Sequence, residues 1–273
     1  SPGPFCIHGE DRAPRGSFAE VSDWFPRTLT EHVQAGHAIL SVYANDPALL
    51  RDQPADLVGV LQQASARAFH PFAEQITKNA TNWAVIAAAT PSWSARVFPE
   101  ADGATATGRL WDAIFTMCRL DQPDPVSAWR THLENLERRA AHLNDRRYVA
   151  LRYTGPGTSL TIGLPDGHRW EGGPSRTQRG LRFTPNLPTE EVFTMPHKDR
   201  VDGVVSSSKP LSHGGVLIDR FTLTFESGRI VKASAASGED ALTRLLDTDD
   251  GARRLGEVAL VPHSSPISRS GLL

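Results

Sequence analysis

Trp83-Ala84-Val85-Ile86-Ala87-Ala88-Ala89 is an uninterrupted apolar run of strand length, closed by Thr90-Pro91. A strand that is apolar at every position, rather than at alternate ones, is covered on both faces, as in a parallel sheet. Upstream, His37 to Tyr43 forms a second short apolar strand, and Asn45-Asp46-Pro47 after it starts a turn or helix. Between the two runs, Leu57, Val60, Leu61, Ala64, Ala68, Phe69 and Phe72 recur at helical spacing. That spacing predicts an amphipathic helix over Asp56 to Ile76, with Pro71 expected to kink it or end it early. Downstream, Thr105 to Leu120 and Pro125 to Asn144 read as two more helices, the second with Glu/Arg pairs on its solvated face. This strand–helix–strand–helix alternation predicts an open α/β domain over residues 1–145.

The pattern changes near Asp145. Tyr148 to Tyr153 and Thr158 to Leu164 are strand-like, and Gly155-Pro156-Gly157 turns the chain between them. Phe221 to Phe225 and Arg229 to Ala233 form a second hairpin around Ser227-Gly228. One helix is expected over Glu239 to Leu255, with Leu242, Leu245 and Leu246 as its apolar stripe. Ser237 is its candidate N-cap, and Gly256 stands where it stops. Glu257 to Val261 then reads as a strand. Residues 146–273 are therefore expected to form a β-rich α+β domain.

Composition narrows the function classes. A net charge of −2 supplies no field for nucleic acid or an acidic membrane surface. The Trp83 to Ala89 run is far too short to span a bilayer. Cys6 and Cys118 lack metal-ligand spacing and read as two reduced thiols, which favours the cytoplasm. The chain opens at Ser1 with no leader-like segment and stops at Leu273 just after a strand, so it reads as a portion of something longer.

The carboxylates are the first candidates for chemistry. Thr189-Glu190-Glu191 leads into a strand at Val192, and adjacent acids entering a strand point to opposite faces, so at most one serves a given site. Glu257 opens a strand directly behind Gly256. Acids at strand ends can hold a divalent metal because the sheet fixes their direction; they can equally be plain solvated charges. His168, His197, His213 and His263 fall in no H-x-x-x-H or H-E-x-x-H arrangement, and His197 is near Glu191 in sequence only. No G-x-S-x-G elbow exists, and Ser206-Ser207-Ser208 reads as a flexible polar loop. Gly155 and Gly157 lack the third glycine and the helix that a phosphate cradle needs.

Asn186-Leu-Pro-Thr-Glu-Glu-Val-Phe-Thr-Met-Pro196 resembles the N-x-P-T-E-E-V-F-T-x-P signature of the thermophilic-type metallo-aminopeptidases, peptidase family M29. Trp93 with Val97-Phe98-Pro99, Leu110-Trp111, Trp129, Leu143-Asn144, Gly155-Pro-Gly-Thr158, Trp170-Glu-Gly-Gly173, Lys209-Pro-Leu211 and Leu255-Gly-Glu-Val-Ala-Leu-Val261 are similar to that family, in its order. The resemblance implies a metal-dependent aminopeptidase with two adjacent divalent ions (Zn, Co or Mg) and peptide substrates bearing a free amino terminus. It implies a homodimer as well. Glu191 matches a metal ligand; Glu257 matches another, with a proton-transfer duty, and the spacing 257 − 191 = 66 fits. The family's other ligands lie in a D-E-N-x-x-x-H-I-A-x-G segment, with a Tyr beyond it, and in a later H-x-D. Neither motif occurs before Leu273. The implied site is therefore incomplete in this chain, and a non-catalytic relative acting as scaffold or binding module is the rival reading.

Overall fold

The computed structural model describes residues 15–46, 49–50, 53–213 and 215–272. Cys6, Pro47 and both chain ends lie outside the described residues. After a short 3-10 turn at Arg15–Ala19 come α1 (Trp24–Gln34), β1 (Ile39–Tyr43), α2 (Ala55–Thr77) and β2 (Trp83–Ala87). Helices α3 (Pro91–Val97), α4 (Gly103–Met117) and α5 (Pro125–Arg146) follow. Then come β3 (Ala150–Gly155), β4 (Thr158–Gly163), β5 (Ser175–Arg176), β6 (Arg182–Phe183), β7 (Asn186–Leu187) and β8 (Val192–Thr194). The rest are β9 (Val201–Ser206), β10 (Leu211–His213), β11 (Val216–Ile218), β12 (Thr222–Glu226), β13 (Arg229–Ser234), α6 (Glu239–Leu246), β14 (Val258–Leu260) and α7 (Pro266–Ser270). Among the described residues no helix is long and apolar enough to cross a membrane.

The chain forms two compact units, Ser1–Ile114 with Pro174–Pro188, and Phe115–Gly173 with Thr189–Leu273. The division falls near residue 114 rather than the expected 145. Leu136 and Ala140 of α5 are buried in the second unit's core, which draws that helix out of the first. Pro174–Pro188 returns to the first unit, where β7 adds to β2.

In the first unit β1 and β2 run parallel, Ile39 opposite Trp83 and Tyr43 opposite Ala87, as the apolar runs require. The coverage is thinner than the runs predict. In the order β1-β2-β7 only β2 has a neighbour on each side. It is half-buried throughout, while Leu40, Val42 and Tyr43 of the edge strand β1 are more than half exposed. Helix α2 continues through Pro71 to Thr77. Its buried positions are Val58, Leu61 and Ala64, and Val60 is exposed. Helix α1, which no apolar run announces, packs on α2 with Phe25 edge-on to Phe69 at 6.0 Å.

The second unit is built on a five-stranded antiparallel sheet, β13-β12-β9-β4-β3. Both expected hairpins form. In the β12–β13 turn Ser227 and Gly228 have φ of 48° and 78°, the paired left-handed conformation of a two-residue hairpin turn. A Cβ at Gly228 would run into the Lys198 carbonyl, so this position requires glycine. Leu160, Ile162, Leu164, Trp170, Val192, Phe225, Ile230, Leu242 and Val258 share one buried core with α5. Helix α6 ends at Leu246, earlier than Leu255, because Asp247-Thr248-Asp249-Asp250-Gly251 carries no apolar stripe; a 3-10 turn at Gly251–Arg253 follows. Its N-cap is Gly238 rather than Ser237, with φ of 75°, and the Glu239 carboxylate accepts the Ala235 N–H at 2.9 Å.

Candidate metal centre

Strands β8 and β14 form an antiparallel ribbon with Thr194 opposite Val258, Phe193 opposite Ala259 and Val192 opposite Leu260. Directly opposed residues share a face, and faces alternate along each strand. Glu191 therefore lies on the face of Phe193, and Glu257 on that of Ala259, which is the same face. Each glutamate immediately precedes its strand, so antiparallel pairing sets them at opposite ends of the ribbon with Phe193 and Ala259 between. On its other edge Phe193 exchanges both backbone hydrogen bonds with Glu171, at 2.8 and 2.9 Å.

Glu191 is half-buried and Glu257 exposed. Among the described residues neither makes an ion pair or a side-chain hydrogen bond. Burial, and then the nearby negative charge of Glu257, push the Glu191 carboxyl above the usual range. Two carboxylates placed on one face, with no ion-pair partner among the described residues, suit a divalent ion bound by hard oxygen donors. The donor set is partial: among the described residues no three His, Cys, Asp or Glu side chains gather closely enough to hold a metal.

Glu190 faces the other way. Its side chain is 4% exposed and lies 2.5 Å from Nη1 of Arg119, whose own side chain is 15% exposed. Two residues past the end of α4, Arg119 is left-handed, φ 56°. The guanidinium packs over Trp129 at 5.1 Å and donates to Nδ1 of His132 at 3.2 Å. His132 Nε2–H donates in turn to the Thr189 carbonyl at 2.7 Å. That pattern assigns a neutral ring protonated on Nε2, and burial holds the His132 pKa below its ordinary value.

The Trp170-Glu171-Gly172-Gly173 segment runs along the same strand. The Asn144 amide clamps Trp170 from both sides, accepting its N–H at 2.8 Å and donating to its carbonyl at 2.9 Å. A Cβ at Gly172 would lie 2.6 Å from the Glu191 carbonyl oxygen, so glycine permits the close approach.

The histidines go elsewhere. His197 Nδ1 accepts the Asp199 N–H at 3.1 Å in a turn. His168 donates to the Pro165 carbonyl at 3.0 Å, and His263 pairs with Ser268 at 3.2 Å. His213 lies in β10. Cys118 is a free, buried thiol whose pKa burial raises. Arg119 and His132 carry no spacing signal toward Glu190; only the fold brings them together.

The family model described as "Thermophilic metalloprotease (M29)" matches residues 10–273. Aminopeptidase T of Thermus thermophilus is 46% identical over 261 residues, covering 96% of this chain and 64% of that protein. Aminopeptidase 2 of Geobacillus stearothermophilus is 46% identical, covering 96% and 63%. Aminopeptidase AmpS of Bacillus subtilis is 45% identical, covering 96% and 64%. The solved structure of wild-type AmpT from Thermus thermophilus superposes with a TM-score of 0.93 at 43% identity, covering 98% of this chain and 66% of that one. The chain thus spans less than two thirds of the length of these relatives. With the signature segment, the β8–β14 ribbon and a match across nearly its whole length, the chain belongs to the thermophilic metalloprotease family M29.

Proposed function

We propose that this chain supplies Glu191 and Glu257 to the metal site of an aminopeptidase that releases amino-terminal residues from peptides. One observation carries the reading: in a chain of this family, the two glutamates share a face of the β8–β14 ribbon with no cation among the described residues to balance them. The substrate class comes from the relatives, which are named as aminopeptidases.

Divalent ions held there, two of them and drawn from Zn, Co or Mg, would polarise the scissile carbonyl and lower the pKa of a water toward neutrality. The chain's own residues do the rest. Glu191, half-buried and fixed by its strand, binds as a carboxylate. Glu257, more exposed, binds too, takes a proton from the attacking water and returns it to the leaving amine. The proposal extends to a homodimer, which sedimentation of the purified protein tests, and to a cytoplasmic location, which cell fractionation tests.

Alanine at Glu191 or Glu257, in the protein that contains this chain, should abolish metal-dependent release of amino-terminal residues. Retained release in either variant overturns the assignment.

A further inference from the structure

We propose that Arg119, His132 and Glu190 form a positioning device that fixes the backbone at Thr189-Glu190 and so aims Glu191 at the cation. The proposal rests on the reading of Glu191 as a ligand.

None of the three side chains shares the ribbon face of Glu191; they act from the opposite side of the strand. Two tethers converge on consecutive residues. His132 holds the Thr189 carbonyl at 2.7 Å, and Arg119 holds the Glu190 carboxylate at 2.5 Å. Side chains alternate along an extended segment, so fixing residue 190 toward the core fixes residue 191 toward the other face. Both tethers trace back to one guanidinium, which bonds Glu190 through Nη1 and His132 through Nη2.

That guanidinium is itself well held. Arg119 leaves α4 in a left-handed conformation, its Nη1 also reaches the Met117 carbonyl at 3.4 Å, and Trp129 lies under it. The Trp129 indole N–H donates to the Cys118 carbonyl at 2.5 Å, tying the aromatic platform to the same turn. Along the strand's edge, Gly172 lies against the Glu191 carbonyl and Glu171 pairs with Phe193. The segment is gripped from one face and along one edge.

Stability alone does not account for a buried ion pair, because well-packed apolar residues of similar volume do as well or better. Fixed geometry is what the pair adds. The network is also close to neutral, one cation balancing one anion beside a neutral imidazole, so it aims Glu191 without adding a net charge that would oppose a bound cation. Partners that orient metal ligands in this way are typically worth about 10- to 100-fold in metal affinity.

The test uses the intact protein that contains this chain, with Mn²⁺ as probe and free Mn²⁺ read by electron paramagnetic resonance. Glu191→Gln provides the reference and should lose the site. His132→Leu removes both of its hydrogen bonds and should weaken Mn²⁺ binding by about 10- to 100-fold while the protein still unfolds cooperatively. His132→Gln, which can donate to Thr189 and accept from Arg119, should restore most of that affinity. If His132→Leu fails to fold, the apolar pair Arg119→Met with Glu190→Leu takes its place, with stability retained and Mn²⁺ affinity lost as the supporting result. Unchanged affinity in the folded network variant, with Glu191→Gln defective, overturns the positioning role and leaves the ligand reading standing. Unchanged affinity in Glu191→Gln overturns the ligand reading itself.

Discussion

Glu190 and Glu191 are neighbours with the same side chain, and the strand sends them into opposite conditions. On one face Glu190 is buried, paired with Arg119 and close to His132. On the other Glu191 is half-buried, unpaired among the described residues, and raised in pKa by its burial and by Glu257. The first carboxylate is satisfied by the protein; the second has no ion-pair partner among the described residues. Charge placement, more than residue type, separates a structural acid from a candidate ligand.

The sharpest way to break this contrast is to delete one partner on each face. Arg119→Met leaves the Glu190 charge buried without compensation and should cost about 3–5 kcal/mol in denaturant unfolding. Glu191→Gln removes a repelled charge and should change stability by no more than about 0.5 kcal/mol. Equal losses in the two variants would show that the faces do not differ as described.

A smaller effect is expected from Gly172→Ala, which crowds the Glu191 carbonyl at 2.6 Å. Overpacking of this kind costs about 1–3 kcal/mol, read as a lowered melting temperature. A neutral result would mean that the segment behind Glu191 yields easily.

The smallest effect is a difference in the sign of pH dependence. Burial lowers the His132 pKa in the fold, so below about pH 6.5 the unfolded chain takes up the proton first and stability falls with pH. Glu191 in the metal-free chain is raised, so its contribution is fullest below about pH 4.3 and is lost as pH rises through its folded value. Unfolding free energies across this range should lose the first dependence in His132→Gln and the second in Glu191→Gln. The same profile in both variants would remove the distinction.

Much of this was legible in the sequence, for identifiable reasons. Trp83 to Ala87 is apolar at every position, and a parallel strand followed. Ser227-Gly228 lies between two alternating runs, and a tight hairpin followed. Adjacency alone placed Glu190 and Glu191 on opposite faces, but it did not say which one was buried. That was decided by Arg119, 71 residues upstream of Glu190 and left-handed in the turn after α4, a contact with no local signature. Pro71 shows the converse: this local signal does not end its helix, which runs on to Thr77. The compact units divide near residue 114 because α5, which reads as one more helix of the α/β series, buries Leu136 and Ala140 in a core made of strands far along the chain.

Phe193 sits as the middle rung between Glu171 and Ala259, partners 22 residues before it (193 − 171) and 66 residues after it (259 − 193). Contacts closed over such distances form late, because the entropy of each loop must be lost before the pairing compensates for it. Glu191 and Glu257 therefore cannot meet while the segment holding β14 is still being made. A growing polypeptide makes the first acid 66 residues (257 − 191) before the second, and the two are brought onto one face only when β14 docks on β8.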